Sequence, residues 1–345
     1  MTLRGNGSGE AEGRRRRGPL ATPTPARRYA PRPMSVTVVG SIAFDAVTTP
    51  FGTRERMLGG SAVHFALAAS FFDDQVRVVG PVGDDFGGEE LAVLESRGVK
   101  TDDIERVAGG KTFFWRGEYG WDLNSRETLD TQLNVFADFQ PKLSAESRAA
   151  DVLFLANIQP DLQREVRAQC ENARFVALDS MNLWIDIARE SLIETISGVD
   201  CLLLNDAELR QLTQEPNLVR AARKIREWGP SVVVAKQGEY GAAMITEEGF
   251  FALPAFPLES VVDPTGAGDS FAGGFVGYVA AHPRDGLDHE LLARAMAYGT
   301  ALASFNVEEF GTERVARLTS EEISERVGEL QRITSFTEKP VALRD

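Results

Sequence analysis

A doubly wound, mostly parallel α/β sheet flanked by helices, with a small inserted β-lid, is the fold class the sequence predicts. Three observations carry it. Short runs of apolar, largely β-branched residues recur along the chain, each of a length that suits a strand buried on both faces. Helix-like segments stand between most of them, which is the alternation of a parallel sheet and its crossovers. Two stretches, 46–58 and 110–136, break that alternation with mixed polar and apolar residues and several turn signals.

The first strand is the run Val36 to Val39, ending at Gly40. A Gly59-Gly60 turn then enters a helix of small and aromatic residues, and the unit repeats as a strand to Val79, a glycine-rich loop, and a helix from about Gly88 to Gly98. Further strands are expected in "DVLFLAN", "RFVALDS", "DCLLLNDAELRQL" and "SVVVAKQG", and another ending at Val262. The segments 46–58 and 110–136 read as antiparallel strands lying beyond the strand ends of the main sheet. As a lid they would offer the rings of Trp115, Tyr119 and Trp121; as a surface excursion they would pack only on their own body.

The first 33 residues are rich in Gly, Pro, Ala and Arg without apolar periodicity, and read as a disordered tail. Their Arg14–Arg17 run lacks the apolar core of a secretory signal, and Met34 stands just before the first strand, where the fold is expected to begin. The folded domain then spans 34–334, and 335–345 reads as a C-terminal tail.

Bulk properties exclude several classes. With 51 acidic residues against 37 lysines and arginines, a formal charge of −14, a nonspecific nucleic-acid surface is disfavoured. A local cluster of donors could still hold a phosphorylated ligand. Cys170 and Cys201 are the only cysteines, too few for a disulfide framework, and read as buried free thiols in a reducing compartment. No apolar run is long enough to span a bilayer, so the expected location is cytoplasmic and no membrane partner is expected.

The sharpest local signal is "VVDPTGAGDSFAGGF", Val261 to Phe275. Asp263-Pro264 turns the chain, and Gly266, Ala267 and Gly268 can bring backbone N–H groups to one point at the start of a helix. Unpaired amides and the positive end of the helix dipole hold phosphate oxygens there. Asp269 follows at once. It is either an N-cap or a general base taking the proton of an attacking alcohol. The two glycines before it and the Asp263-Pro264 turn favour the base. The loop lacks the lysine of a Walker A motif, and Gly40 is not followed by the spaced glycines of a dinucleotide fingerprint.

With these residues the sequence resembles the ribokinase-like, or PfkB-type, carbohydrate kinases. "DPTGAGDSFAGGF" matches the family's C-terminal signature and "GGSAVHFALAAS" its weaker N-terminal one. "VVGSIAFD", "GPVGDDFGG", "LLLNDAEL" and "AKQGEYGA" match further segments in the same order, so the resemblance covers Met34 to about Thr334.

That resemblance implies an ATP-dependent kinase with Asp269 as base and the amides of Gly266, Ala267 and Gly268 as anion hole. It implies that Asp45 holds acceptor hydroxyls and that Gly59 and Gly60 let the chain approach the acceptor. Asn205 and Glu208 match the segment that orients Mg²⁺ through water, and their spacing lets them share a helix face. Lys236, Gly238 and Gly241 lie in the segment bordering the nucleotide. Asp263 and Thr265 match positions that help bind an activating monovalent cation such as K⁺, with other ligands from the "SFNVEEFG" stretch. His64 departs from the family, which usually has asparagine there; it either faces the acceptor pocket or packs in the core.

The expected acceptor is a hydroxyl of a small sugar or polyol. A nucleoside is the alternative, since the aromatic lid could stack a base. A phosphosugar would need convergent cations, for which Arg54, Arg56 and Arg116 are available. A non-catalytic small-molecule-binding regulator on the same scaffold is disfavoured by the intact Asp269 and glycine run. A homodimer through the lid is expected, because an open antiparallel edge needs protection.

Overall fold

The computed structural model describes residues 34–282 and 287–336. Expectations for the first 33 residues and for the tail beyond residue 336 lie outside the described residues.

Among the described residues thirteen strands form two sheets. In chain order they are β1 (Val36–Val39), β2 (Ala43–Thr49), β3 (Gly52–Gly59), β4 (Arg77–Val82), β5 (Ile104–Arg106), β6 (Phe113–Tyr119) and β7 (Arg126–Gln132). They continue as β8 (Val152–Leu155), β9 (Phe175–Asp179), β10 (Cys201–Asn205), β11 (Val232–Lys236), β12 (Ala242–Ile245) and β13 (Phe250–Leu253). The larger sheet has the order β13-β12-β11-β10-β9-β8-β1-β4-β5. It is parallel from β11 to β5, with β12 and β13 antiparallel at one end.

The apolar runs form strands because both faces of the sheet are covered. Side chains alternate between two cores: Val152, Phe154, Cys201 and Leu203 face one, while Leu153, Leu155, Leu202 and Leu204 face the other. The first core packs under the helices Ser61–Ala69, Ala267–Ala281 and His289–Asn306. Cys201 and Cys170 are buried free thiols that belong to opposite cores.

The two stretches that broke the alternation make the second sheet, of order β3-β2-β6-β7. The hairpins β2–β3 and β6–β7 are antiparallel as expected, but β2 and β6 pair in parallel and join them. This sheet begins at Ala43, so Asp45 lies within it. Opposite Ala46, β3 carries an extra residue, a bulge that bends the ladder beside Asp45.

One expected strand does not form. The segment ending at Val262 is irregular, because Pro254, Pro257 and Pro264 interrupt it and its amides find no ladder. The Val262 and Asp263 N–H groups share the Val307 carbonyl instead, at 2.8 and 3.3 Å. Among the described residues no helix is long and apolar enough to cross a membrane.

The helix that carries His64 is fixed on the sheet by Phe65, whose ring stacks on Phe154 at 4.1 Å between centroids. Both side chains are fully buried. Phe65→Ala is expected to cost about 3–5 kcal/mol of stability, read from the urea midpoint at unchanged slope. A loss under about 1 kcal/mol would show that this stack does not hold the helix to the sheet.

Candidate active site

The Ala267–Ala281 helix starts from a turn that only one residue type suits well. Ala267 N–H donates to the Pro264 carbonyl at 3.2 Å, closing a turn with Gly266 at its third position, φ 76° and ψ −1°. That is the type II geometry, which calls for glycine. Of the three amides assigned to the anion hole, Ala267's is therefore used within the turn. Among the described residues, none of the Gly266, Gly268 and Asp269 amides donates to a backbone carbonyl, so of the expected three only Ala267's is taken and the next amide along the helix is also open.

The helix is capped by Gly266, and Asp269 is its third residue, which removes the N-cap reading of this aspartate. Asp269 is half-buried. Burial and the nearby Asp179 charge push its pKa up to about 7, against the pull of Lys236.

A buried asparagine pins this loop. Asn306, the last residue of the His289–Asn306 helix, donates through Nδ2 to the Thr265 carbonyl at 2.7 Å. Its Oδ1 accepts from the Ser270 hydroxyl at 2.9 Å and lies 3.0 Å from His64 Nδ1. Since the oxygen can only accept, His64 carries its proton on Nδ1. The His64 ring lies directly against Gly266, where a Cβ would come within 2.4 Å of it. Burial holds its pKa down at about 4, so the ring is neutral at physiological pH, and its buried Nε2 has no hydrogen-bond partner among the described residues. Its documented contacts are those of a support beneath the loop.

Asp263 and Thr265 brace the same loop. The Asp263 carboxylate accepts from Thr265 N at 2.9 Å and Gly311 N at 3.0 Å, and the Thr265 hydroxyl donates to Tyr119 at 3.1 Å. Tyr119 is the one aromatic of the expected trio that reaches the loop; Trp121 is 87% exposed, and the indole N–H of Trp115 donates to Thr128 within its own sheet.

Asp45 is seated by the glycine pair. A Cβ on Gly59 would fall 1.9 Å from Asp45 Oδ2, so glycine is what lets the carboxylate lie across β3. Burial, then the Asp263 charge, push Asp45 up to about 7, against the pull of the nearby Gly60 amide. In this arrangement the glycine pair positions the acidic group directly.

Asn205, Asp179 and Lys236 end the adjacent strands β10, β9 and β11, at the carboxyl edge where open α/β sheets gather ligands. Asn205 and Glu208 do not share a helix face. Asn205 is the N-cap of the Asp206–Thr213 helix, its Oδ1 accepting from Glu208 N at 2.7 Å, while Glu208 Oε2 accepts from Asn205 N at 2.9 Å. This capping box fixes Glu208 and leaves its Oε1 without a hydrogen bond among the described residues. Burial pushes Glu208 up to about 7 against the attraction of Lys236. A hard divalent cation suits such an oxygen, and among the described residues no group of three side chains is preassembled around a metal. That fits Mg²⁺, which keeps waters and takes much of its shell from substrate phosphates.

Gly238 and Gly241 form the loop after β11. A Cβ on Gly238 would meet Asn124 Oδ1 at 3.2 Å, and Asn124 donates to Glu239 at 3.0 Å, so the β6–β7 tip reaches this loop.

Sequence reasoning missed Asn306, Asp179 and Arg126. Arg126 starts β7 opposite Tyr119, with its guanidinium 5.3 Å from the Trp115 ring centre, and its charge acts to lower Asp45, Glu208 and Asp269. The three arginines named from the sequence are engaged elsewhere: Arg116 with Glu55, Arg56 with the Phe44 ring and Glu90, and Arg54 over Phe310.

Comparison with known proteins agrees with this geometry. The pfkB family carbohydrate kinase model matches residues 35–317. The chain is 30% identical over 256 residues to the cytidine kinase of Thermococcus kodakarensis, covering 72% of this chain and 90% of that one. It is 26% identical over 304 residues to the nucleoside kinase of Methanothermobacter thermautotrophicus, covering 80% and 90%. Among solved structures, Methanocaldococcus jannaschii nucleoside kinase superposes with a TM-score of 0.69 at 19% identity, covering 87% of this chain and all of that one. Thermotoga maritima ribokinase superposes with a TM-score of 0.68 at 22% identity, covering 86% and 99%. A fold, a glycine turn opening a helix with a carboxylate on its first turn, and a family match over most of the chain lead to one assignment: this protein belongs to the pfkB family of carbohydrate kinases.

Proposed function

We propose that this enzyme transfers the terminal phosphoryl group of Mg·ATP to a hydroxyl of a small sugar or polyol. The observation that carries the reading is the placement of Asp269 beside the free amides of its own helix start. A hydroxyl hydrogen-bonded to Asp269 Oδ would give up its proton there while the amides of Gly268 and Asp269 receive the phosphoryl oxygens. Asp45, held by Gly59 and Gly60, orients the acceptor, and Glu208 Oε1 with Asn205 marks the Mg²⁺ side. Bound Mg²⁺ would neutralise phosphate charge as the bond to the leaving oxygen lengthens.

Lys236, Gly238 and Gly241 border the nucleotide in this reading. His64 supports Gly266 from below and stays out of the acceptor set. A K⁺ at Asp263 and Thr265 would share a carboxylate that already accepts two amides. A lid-to-lid homodimer would use the outer strands β3 and β7, whose charged residues (Arg54, Glu55 and Arg56 on one, Arg126, Glu127 and Asp130 on the other) require a complementary register. A nucleoside acceptor is the second reading, favoured by the 30% identity to a cytidine kinase over 90% of that protein.

The deciding measurement is ADP release with Mg·ATP over a panel of monosaccharides, polyols, nucleosides and phosphosugars. Turnover is expected on the first two classes, with Asp269→Asn lowering kcat at least about 100-fold. Turnover confined to nucleosides would establish the second reading, and turnover indifferent to the variant would remove Asp269 from the mechanism.

The pH profile gives an independent check. Asp45 and Asp269 are both pushed up to about 7, and both act in this scheme as carboxylates, so activity is present above that range and lost as pH falls through it. Measured at saturating Mg·ATP, which would keep Glu208 ionised, acceptor kcat/KM is expected to fall with a limiting log slope near 2, the apparent values belonging to the coupled pair. Asp45→Asn leaves a one-proton limb. His64, held near 4, cannot supply it. A one-proton limb in the unaltered enzyme would contradict the shared role.

A further inference from the structure

Asp179 and Lys236 form a buried ion pair whose position is not explained by the fold. Lys236 Nζ lies 2.6 Å from Asp179 Oδ2, with the two side chains 16% and 6% exposed. Asp179 is held from two other directions. Its Oδ1 accepts the Ser180 amide at 2.8 Å, and its backbone carbonyl accepts from the buried Gln163 side chain at 3.0 Å. The lysine extends from β11 to the start of the Ala267–Ala281 helix, where a Cβ on Gly268 would stand 3.1 Å from Nζ. Its ammonium therefore lies beside the amides that receive the phosphoryl group.

That location is electrostatically unfavourable on its own. A helix N-terminus carries partial positive charge, and a buried ammonium next to it is repelled as well as desolvated. Burial works to lower the Lys236 pKa, and the charges of Asp179 and Glu208 more than offset it, so the group stays an ammonium. It has three N–H donors, of which Asp179 takes one. Two donors and a helix start converging on one point make a site for a multiply charged anion.

Resting on the kinase reading above, we propose that Lys236 donates to the terminal phosphate of the bound nucleotide and stays with that group as it transfers, and that Asp179 is the positioning residue that holds Nζ there. In the step itself, the bond from the γ-phosphorus to the β–γ bridging oxygen breaks and its electron pair leaves with ADP. A new bond forms from the acceptor oxygen to phosphorus, and the acceptor proton passes to Asp269. Lys236 gains and loses no proton. A lysine serving only the fold would make no distinction between ATP and ADP.

Calorimetric binding on the full chain with Mg²⁺ tests this, using ADP and the β,γ-imido analogue of ATP as probes. Lys236→Met is expected to weaken the analogue roughly 10-fold or more and ADP less than about 3-fold, with kcat falling about 100- to 1000-fold. Because that variant strands a buried carboxylate, the double variant Asp179→Asn/Lys236→Met removes both charges, and circular dichroism reports its folding. The double variant is expected to recover the fold and keep the selective loss of the analogue. Recovery of analogue affinity in the double variant, or equal weakening of both nucleotides, would reduce the pair to a structural role and overturn the proposal while leaving the kinase reading intact. Failure of the unaltered protein to bind either nucleotide would overturn both.

Discussion

The bond from the buried Asn306 Nδ2 to the Thr265 carbonyl, 2.7 Å long, is where the glycine turn of the candidate site is anchored. The turn at Gly266 aims the first amides of its helix, and nothing within a four-residue turn fixes its orientation in the protein. Asn306 supplies that reference. Through one amide group it ties the turn to the end of the neighbouring helix, to Ser270 one turn further on, and to His64 on a third helix. Asp263 adds a second brace from Gly311. A loop of glycine and small residues is thereby held from several sides, the kind of fixed geometry that a preorganised anion hole would require.

The charges around that loop are arranged to be incomplete. Asp45, Asp269 and Glu208 are each pushed up to about 7, with burial as the first cause in every case. Lys236 and Arg126 oppose the acidic excess without neutralising it. A site left with too much negative charge favours the arrival of a hard cation, and one with a positive helix start favours phosphate. Mg·ATP supplies both together, so the protein has no need to build a complete cage for either.

Much of this was legible in the sequence, and for identifiable reasons. The strands β1, β8, β9, β10 and β11 announced themselves because both faces are buried and polar residues are nearly absent from them. The helix start at Gly266 was legible because the turn, its glycines and the Asp269 carboxylate lie within a few consecutive residues. Asn306 and Asp179 were not, since each acts across 41 and 57 positions of sequence on partners that only the fold brings near. The strand expected before Asp263 failed because β-branching was weighed above three prolines. His64 illustrates the remaining limit: the register placed it at the site, while the choice between touching a ligand and supporting a loop depended on Asn306.

The parallel pairing of β2 with β6 has a mechanical consequence. It welds two hairpins into one stiff plate, and Asp45 is part of that plate, while Asp269 belongs to the body beneath. Any rocking of the plate changes the span between Asp45, proposed to grip the acceptor, and Asp269, proposed to deprotonate it. Capture of the acceptor and the setting of the reaction distance are then a single movement. An empty enzyme whose plate stands open would hold its nucleotide with no alcohol, or water, drawn into line for attack.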